Sequence, residues 1–460
     1  METKSYCFNC KKSIDAEYVF EEDRTFFVKK CEVCGEEKTD MGAGKDEFLN
    51  WNKAKIVNIP PKIHLTEGSE TEDSQCPTHC GTCKNHLQTA CCVLIDITER
   101  CNQKCPFCFA SANEDKIYSD IPLAEIEKKL DFLKEVGEDI PFNIQLSGGE
   151  PTVRNDLPEI VYKAKEKGFT YIQINSNGKR LGEDEGYAKL LKDAGTSVIF
   201  MQFDGTCDEI YQELRGEKLF ETKKKAIENC RKAKLPVTLV PTIVGGVNTE
   251  NIGEMIDFMI ENVDIVKGIH FQPVTYFGRH PQEKKRVSMF EVLKKMEEQK
   301  SELKVEDFIP ISSGHPLCCF YSIYTKNGDK IELQLSKKNK EEGISCCDTS
   351  QSGQTCCDNS KNIFGLEKNK YIKKDRDFVI NRWSVSEEEV GVGRRLKNSD
   401  EISNIDEFLA FYKENTFTIT GMAFQDIDTL DAERLKRCRV QVLSDDNKLV
   451  PFCAYNSVYR

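Results

Sequence analysis

From residue 91 the chain alternates between short apolar runs and longer segments whose apolar residues recur every three or four positions. "CVLIDITE" and "PFNIQLS" have strand length, and "PLAEIEKKLDFLKEVG" between them sets Leu123, Ile126, Leu130 and Leu133 on one helical face. Pro122 suits the first helical turn and Gly137 the stop. The unit repeats. Helix "DLPEIVYKAKEKG" precedes strand "YIQINSNG", and "GYAKLLKDAG" precedes "SVIFMQFDG". Helix "FETKKKAIENCRKAK" then leads to "PVTLVPTIV", and "NIGEMIDFMIENV" to "GIHFQPV". Six strands with intervening helices predict an α/β fold: a parallel (β/α)6 sheet, open or closed into a partial barrel.

Outside this stretch the pattern differs, which divides the chain into four parts. Residues 1–60 hold the strand-like "EYVF" and "RTFFVKK" between two cysteine pairs and read as a small metal-binding module. The acidic, aperiodic "TEGSETEDSQ" lies within a cysteine-rich linker, 61–90, ahead of the core at 91–285. Beyond residue 285 the alternation weakens, and 286–460 form a C-terminal domain whose polar insert, 336–362, reads as a mobile loop.

Composition narrows the class. With 65 Lys+Arg against 77 Asp+Glu, the net charge of −12 disfavours nucleic acid as a partner. No apolar run of membrane-spanning length is present, and the first residues lack the apolar core of a signal peptide, so the expectation is a cytoplasmic protein. In a reducing compartment 22 cysteines point to metal or iron–sulfur ligation rather than disulfides.

Cys7-x2-Cys10 and Cys31-x2-Cys34 have the spacing of one tetrahedral ion, zinc or a rubredoxin-type iron, and a structural clip is the simplest role for it. "CPTHCGTC" supplies Cys76, Cys80 and Cys83, with Cys91 or Cys92 available as a fourth thiolate for an iron–sulfur cluster. Cys207 and Cys230 read as small core residues. Cys346-Cys347 and Cys356-Cys357 on the polar insert are ambiguous. The run "CNQKCPFC" differs from all of these: it places Cys101, Cys105 and Cys108 directly after the first strand, where parallel sheets bind ligands. Three thiolates on one loop can hold three irons of a 4Fe-4S cube and leave the fourth open.

This loop, with Phe107 inside it, resembles that of the radical S-adenosylmethionine (SAM) superfamily, and the following strand ends agree. "LSGGEPT" is similar to the family's Gly-Gly-Glu-Pro motif, so Gly148, Gly149, Glu150 and Pro151 are expected at the methionine amino group. "NSNG" implies Asn175, Ser176 and Asn177 near the cofactor ribose and substrate. "QFDG" adds Gln202 and Asp204, and "TIVGGVN" sets Thr242 and Val244 along the adenine. The resemblance implies SAM, a 4Fe-4S cluster, a flavodoxin- or ferredoxin-type reductant and a 5′-deoxyadenosyl radical. It implies no acid–base pair or triad among the side chains.

"HPLCC" and the chain's end add Cys318, Cys319, Cys438 and Cys453, the last two on a predicted hairpin, as ligands of an auxiliary 4Fe-4S cluster of the kind found elsewhere in the superfamily. With the group at 76–92 this makes two auxiliary clusters. Together with "FQPVTYFGRH" and "PFCAYN", these features resemble the tetraether, or membrane-spanning, lipid synthase group, which also includes dihydro-hydroxymethylpterin methyltransferases. That resemblance implies C–C joining of lipid tails by a monomer that touches the membrane surface, with "FLAFY" and "FTITGMAF" as tunnel candidates. The alternatives are methylation of a dihydropterin, peptide modification, or a non-enzymatic cluster scaffold or electron carrier.

Overall fold

The computed structural model describes residues 1–54, 56–66, 76–112, 120–137, 140–311, 314–334 and 405–460, with 372, 373, 376, 377 and 380 between the last two spans. The four cysteines of the insert, and most of the acidic linker, lie outside the described residues.

The N-terminal residues form a four-stranded antiparallel sheet in sequential order: β1 (Glu2–Cys7), β2 (Lys12–Glu21), β3 (Arg24–Cys31) and β4 (Gly35–Asp40). The strands alternate as half-buried strands do. Tyr18 and Phe27 face inward and meet Phe48 of the helix Lys45–Asn52. Phe48 in turn packs on Phe290, so this small sheet shares its core with the rest of the molecule.

The six repeat strands form where the sequence pattern sets them. They are β5 (Cys92–Thr98), β6 (Asn143–Gly148), β7 (Ile172–Ser176), β8 (Val198–Gln202), β9 (Val237–Val240, continued by the two-residue β10, Thr242–Ile243) and β11 (Val266–Pro273). Neighbours are parallel throughout. The helix Leu123–Val136 buries Ile126, Leu130 and Leu133 as its spacing requires, but it starts one residue after Pro122, which is its extended N-cap. Cys230 is fully buried in the core, while Cys207 is half-buried.

The C-terminal part completes the same sheet instead of building a second one. After the antiparallel pair β12 (Cys319–Asn327) and β13 (Lys330–Leu333), β14 (Thr416–Met422) adds parallel to β11 at one edge. The chain then crosses to the opposite edge, where β15 (Val440–Leu443) pairs parallel with β5 and β16 (Leu449–Pro451) closes a hairpin. The order is β13-β12-β14-β11-β9-β8-β7-β6-β5-β15-β16, an open mixed sheet rather than a closed barrel. Among the described residues no helix is long and apolar enough to cross a membrane.

Candidate active site

The inner face of the parallel strands and the loops beyond their C-terminal ends enclose a cavity of about 360 Å³. Cys101, Cys105, Phe107 and Cys108 line it from the loop after β5. Gly148, Gly149 and Glu150 line it after β6, Asn175, Ser176 and Asn177 at β7, and Gln202 and Thr242 at β8 and β10. Cys91 and Cys92 lie at its other end.

The cysteine loop is held by its backbone. Arg279 Nε donates to Cys105 O at 2.7 Å, and the main chains of Cys108 and Arg279 exchange bonds at 2.9 and 3.0 Å. Lys179 Nζ donates to Asn102 O at 3.2 Å, and Arg215 Nη1 to Phe107 O at 3.0 Å. Three carbonyls facing cations, and a fourth, that of Cys108, held by the Arg279 backbone N–H, leave the thiols free to turn inward. Burial pushes the Cys101 thiol up to about 12 and raises Cys105 as well. Such thiols become ligands only when a metal displaces the proton, and three of them on one loop fit a cube with one open iron. Gln202 Nε2, buried beside the cavity without a partner among the described residues, fits a bound polar molecule there.

Gly148 and Gly149 are required for a reason the motif alone does not give. A Cβ on Gly148 would lie 2.1 Å from Thr98 O, and one on Gly149 2.2 Å from Arg100 O. Gly148 also has φ +122°, open to glycine alone. The two residues dock the β6 turn onto the start of the cysteine loop, with Gly149 N and Glu150 N donating to Thr98 O and Arg100 O at 2.8 Å. Pro151 is buried in the turn that follows and lies off the cavity wall.

Glu150 is a strut. Its carboxylate accepts from Thr152 N at 3.1 Å, Ser176 Oγ at 2.8 Å and Asn177 N at 2.6 Å, tying the β6 and β7 turns together. Burial raises its pKa despite these bonds. Asp204 lies below the wall, fully buried and bidentate to Arg215 at 2.7 Å. Val244 is a core residue beside Ile210 and Leu214, and its N–H donates to Asn248 Oδ1 at 2.8 Å.

The remaining cysteines fall into two places. In the ribbon, Cys7, Cys10, Cys31 and Cys34 have all four sulfurs within 4.8 Å of one another, the span of a single tetrahedral ion. Cys10 N and Cys34 N donate to Cys7 and Cys31 Sγ at 3.4 Å. At the C-terminal hairpin Cys438 lies just ahead of β15 and Cys453 just after β16; burial raises both thiols, and each also feels the charge of Cys318. The linker group adjoins them. Cys80 is raised by its bond to Cys76 and by burial, and it feels Cys83 and Cys438. The doubled thiols separate by direction. Cys91 lies in the field of Cys438, whereas Cys92 turns into the sheet interior toward Gln145. Cys318 accepts from Arg434 Nε at 3.3 Å, whereas Cys319 is buried at the start of β12.

Several side chains at this site escaped the sequence reading. Arg215 and Lys223 are buried cations on helices Asp208–Arg215 and Phe220–Lys232. Each shares its helix's apolar face, with Tyr211 and Leu214 or with Ala226, Ile227 and Cys230, and that position was the available signal. Lys223 Nζ donates to Gln202 Oε1 at 2.9 Å, and burial pulls it down to about 7. His270, paired with Thr420 at 2.7 Å, and Gln145 and Gln272 also line the cavity.

Comparison with known proteins agrees with this geometry. Residues 95–259 match the model of the radical SAM superfamily, and residues 1–41 that of the HMPTM N-terminal zinc ribbon domain. A 7,8-dihydro-6-hydroxymethylpterin dimethyltransferase of Methanocaldococcus jannaschii is 31% identical over 484 residues, covering 100% of this chain and 94% of that one. An Fe-coproporphyrin III synthase of Methanosarcina barkeri is 33% identical over 41% of this chain and 45% of its own. Among solved structures, Streptococcus suis SuiB bound to precursor peptide SuiA matches with a TM-score of 0.41 at 19% identity, over 47% of each chain. The chain thus belongs to the radical SAM superfamily, in the full-length family of the Methanocaldococcus enzyme, and is a radical SAM enzyme that uses SAM, a 4Fe-4S cluster and a ribbon-bound metal.

Proposed function

We propose that this enzyme acts on a polar heteroaromatic small molecule of the dihydropterin class and methylates it. The carrying observation is a row of polar side chains on the inner faces of successive strands, set in a cavity whose wall is otherwise mostly apolar. Gln145 on β6, Asn175 on β7, Gln202 on β8, His270 and Gln272 on β11 and Thr420 on β14 all border the cavity. Amide and imidazole groups pair with the alternating donors and acceptors of a pterin edge, and a hydrocarbon offers them no partner. Phe200 and Phe277 in the same wall suit the faces of a flat ring. The full-length likeness to a dihydropterin dimethyltransferase supports the same class.

When bound, the cluster and SAM supply a 5′-deoxyadenosyl radical able to take hydrogen from an unactivated C–H bond, on an electron from a flavodoxin- or ferredoxin-type donor. The chain's own residues position and shield. Arg279, Arg215 and Lys179 fix the cysteine loop, Glu150 locks two turns, and the polar lining orients the substrate. Cys318, Cys438 and Cys453, with Cys76, Cys80, Cys83 and Cys91 adjoining, form the auxiliary cluster region.

The lipid-joining reading has one observation in its favour. Phe452 contacts Phe109, Phe277 and Phe424 at ring distances of 5.8, 6.1 and 4.5 Å, an aromatic wall that would suit a hydrocarbon at the membrane surface. Anaerobic turnover separates the two. With 7,8-dihydro-6-hydroxymethylpterin, a low-potential reductant and SAM as both radical source and methyl donor, the expected product is heavier by one or two methyl groups and appears with methionine, 5′-deoxyadenosine and S-adenosylhomocysteine. Deuterium transfer from terminally deuterated lipid into deoxyadenosine, without pterin methylation, would overturn the pterin proposal in favour of the lipid one.

A further inference from the structure

The ribbon docks on the segment that carries the chain from β14 across to β15. Ser5 Oγ donates to Leu430 O at 2.6 Å and Lys29 Nζ to Ile427 O at 2.9 Å. Thr3 Oγ1 and Tyr18 OH donate to the two carboxylate oxygens of Asp431 at 2.7 and 2.8 Å. Asp431 caps the short helix Ala432–Lys436 by accepting from Glu433 N at 2.9 Å.

On that helix Arg434 is 3% exposed. Its Nε donates to Cys318 Sγ at 3.3 Å and its Nη2 to Ala423 O at 2.7 Å, while Ala423 N donates back to Cys318 O at 2.8 Å. A second tie from the N-terminal module, Trp51 Nε1 to Pro316 O at 2.9 Å, holds the turn leading into Cys318. Among the described residues no carboxylate pairs with Arg434, and Asp431 is occupied by Thr3, Tyr18 and its own helix. A buried guanidinium is costly without an anion beside it, and here the group within hydrogen-bond reach that can carry negative charge is the Cys318 sulfur.

We infer that Arg434 is the cationic partner of the charge carried by the Cys318–Cys438–Cys453 sulfurs, and that the ribbon is the anchor setting its guanidinium against Cys318. The inference rests on the reading of these cysteines as a cluster site. It gives the ribbon a role beyond folding its own 40 residues: Tyr18, Asp431 and Arg434 transmit its position to a redox centre. A cation beside the sulfurs favours the more negative, reduced cluster, so its loss must lower the potential.

The test uses the full-length protein with Cys101, Cys105 and Cys108 replaced by alanine, so that iron beyond the ribbon belongs to the remaining cysteines. After anaerobic reconstitution, Arg434→Gln is expected to retain that iron while the reduced-to-oxidised ratio at fixed potential falls at least tenfold, about 59 mV for a one-electron couple. Arg434→Lys should recover part of the shift, which a purely structural role would not predict. Tyr18→Phe and Thr3→Val, which leave Arg434 and every charge in place, should move the potential in the same direction by less. An unchanged potential in Arg434→Gln overturns the charge role, and a shift there with none in Tyr18→Phe or Thr3→Val overturns the anchor. Should Arg434→Gln fail to fold, Arg434→Lys and Tyr18→Phe carry the same decision. If no iron beyond the ribbon is retained, the cluster reading fails. The inference about Arg434 then falls with it, whereas retained iron with an unchanged potential in Arg434→Gln overturns the inference alone.

Discussion

Single atoms decide much of this site. At Gly149 a methyl group would press on Arg100 O, which already receives the Glu150 N–H at 2.8 Å, so neither main chain can yield without freeing the cysteine loop. Gly149→Ala is expected to destabilise the fold by about 1–3 kcal/mol, the usual cost of overpacking. It should also lower iron retention on the SAM loop, measured by thermal unfolding and iron analysis. His86 gives a prediction in pH. It is buried against Cys438 O at 2.9 Å, and burial pulls its pKa down to about 4 from 6.5. Between those values the unfolded chain takes a proton that the folded chain refuses, so stability present above pH 6.5 is lost as pH falls toward 4. The loss is at most about 3 kcal/mol. Urea titrations across this window should show a shallower loss in His86→Gln; equal slopes would place the pH dependence elsewhere. At this scale the sequence is only half legible. Cysteine spacing and Gly-Gly-Glu-Pro are contiguous and can be read directly. Arg215, Lys223 and Arg434 are single cations whose partners are main-chain carbonyls, an aspartate or a sulfur brought close only by folding.

Elements bring those partners together, and the Asp204–Arg215 pair shows how. Asp204 follows β8, and Arg215 ends the next helix. The guanidinium then reaches on to Phe107 O in the cysteine loop and to Thr242 Oγ1 at the β10 end, both at 3.0 Å. One buried pair therefore joins three strand ends. Removing either partner strands the other charge in the interior, and Asp204→Ala is expected to cost about 3–5 kcal/mol. The double change Asp204→Leu with Arg215→Leu should recover a good part of that loss while leaving SAM binding weak, because the link to Phe107 stays broken. A double change as unstable as the single one in chemical denaturation would show that the helix packs through other contacts. The repeat strands were readable because each has its own apolar run and turn residues. β15 was readable as one strand of the terminal hairpin, but its parallel pairing with β5, like that of β14 with β11, was not, because pairing with a strand more than a hundred residues distant leaves no local signature.

The whole molecule turns on that crossing. The repeat sheet presents two edges, and the same C-terminal segment covers both: β14 on β11, then β15 on β5. The cover matters most at β5, since this strand runs into the cysteine loop and would otherwise offer an open edge. Its register is Val440 on Cys92, Gln441 on Val93 and Val442 on Leu94, beside the side of the sheet where Cys91 and Cys438 approach. Val442→Pro tests the arrangement. Proline removes a ladder bond from a strand paired on both sides, so β15 should detach from β5, β16 or both. Amide exchange of residues 93–97 is expected to quicken at least tenfold, about 1.4 kcal/mol of local protection, while β8 in the middle of the sheet keeps its rate. Iron bound by Cys101, Cys105 and Cys108 should become easier to chelate in the same protein, because their loop hangs from the loosened strand. Faster exchange in β5 with undiminished iron retention would mean that Arg279, Arg215 and Lys179 hold the loop by themselves, and that the C-terminal strands serve only the thiols they carry.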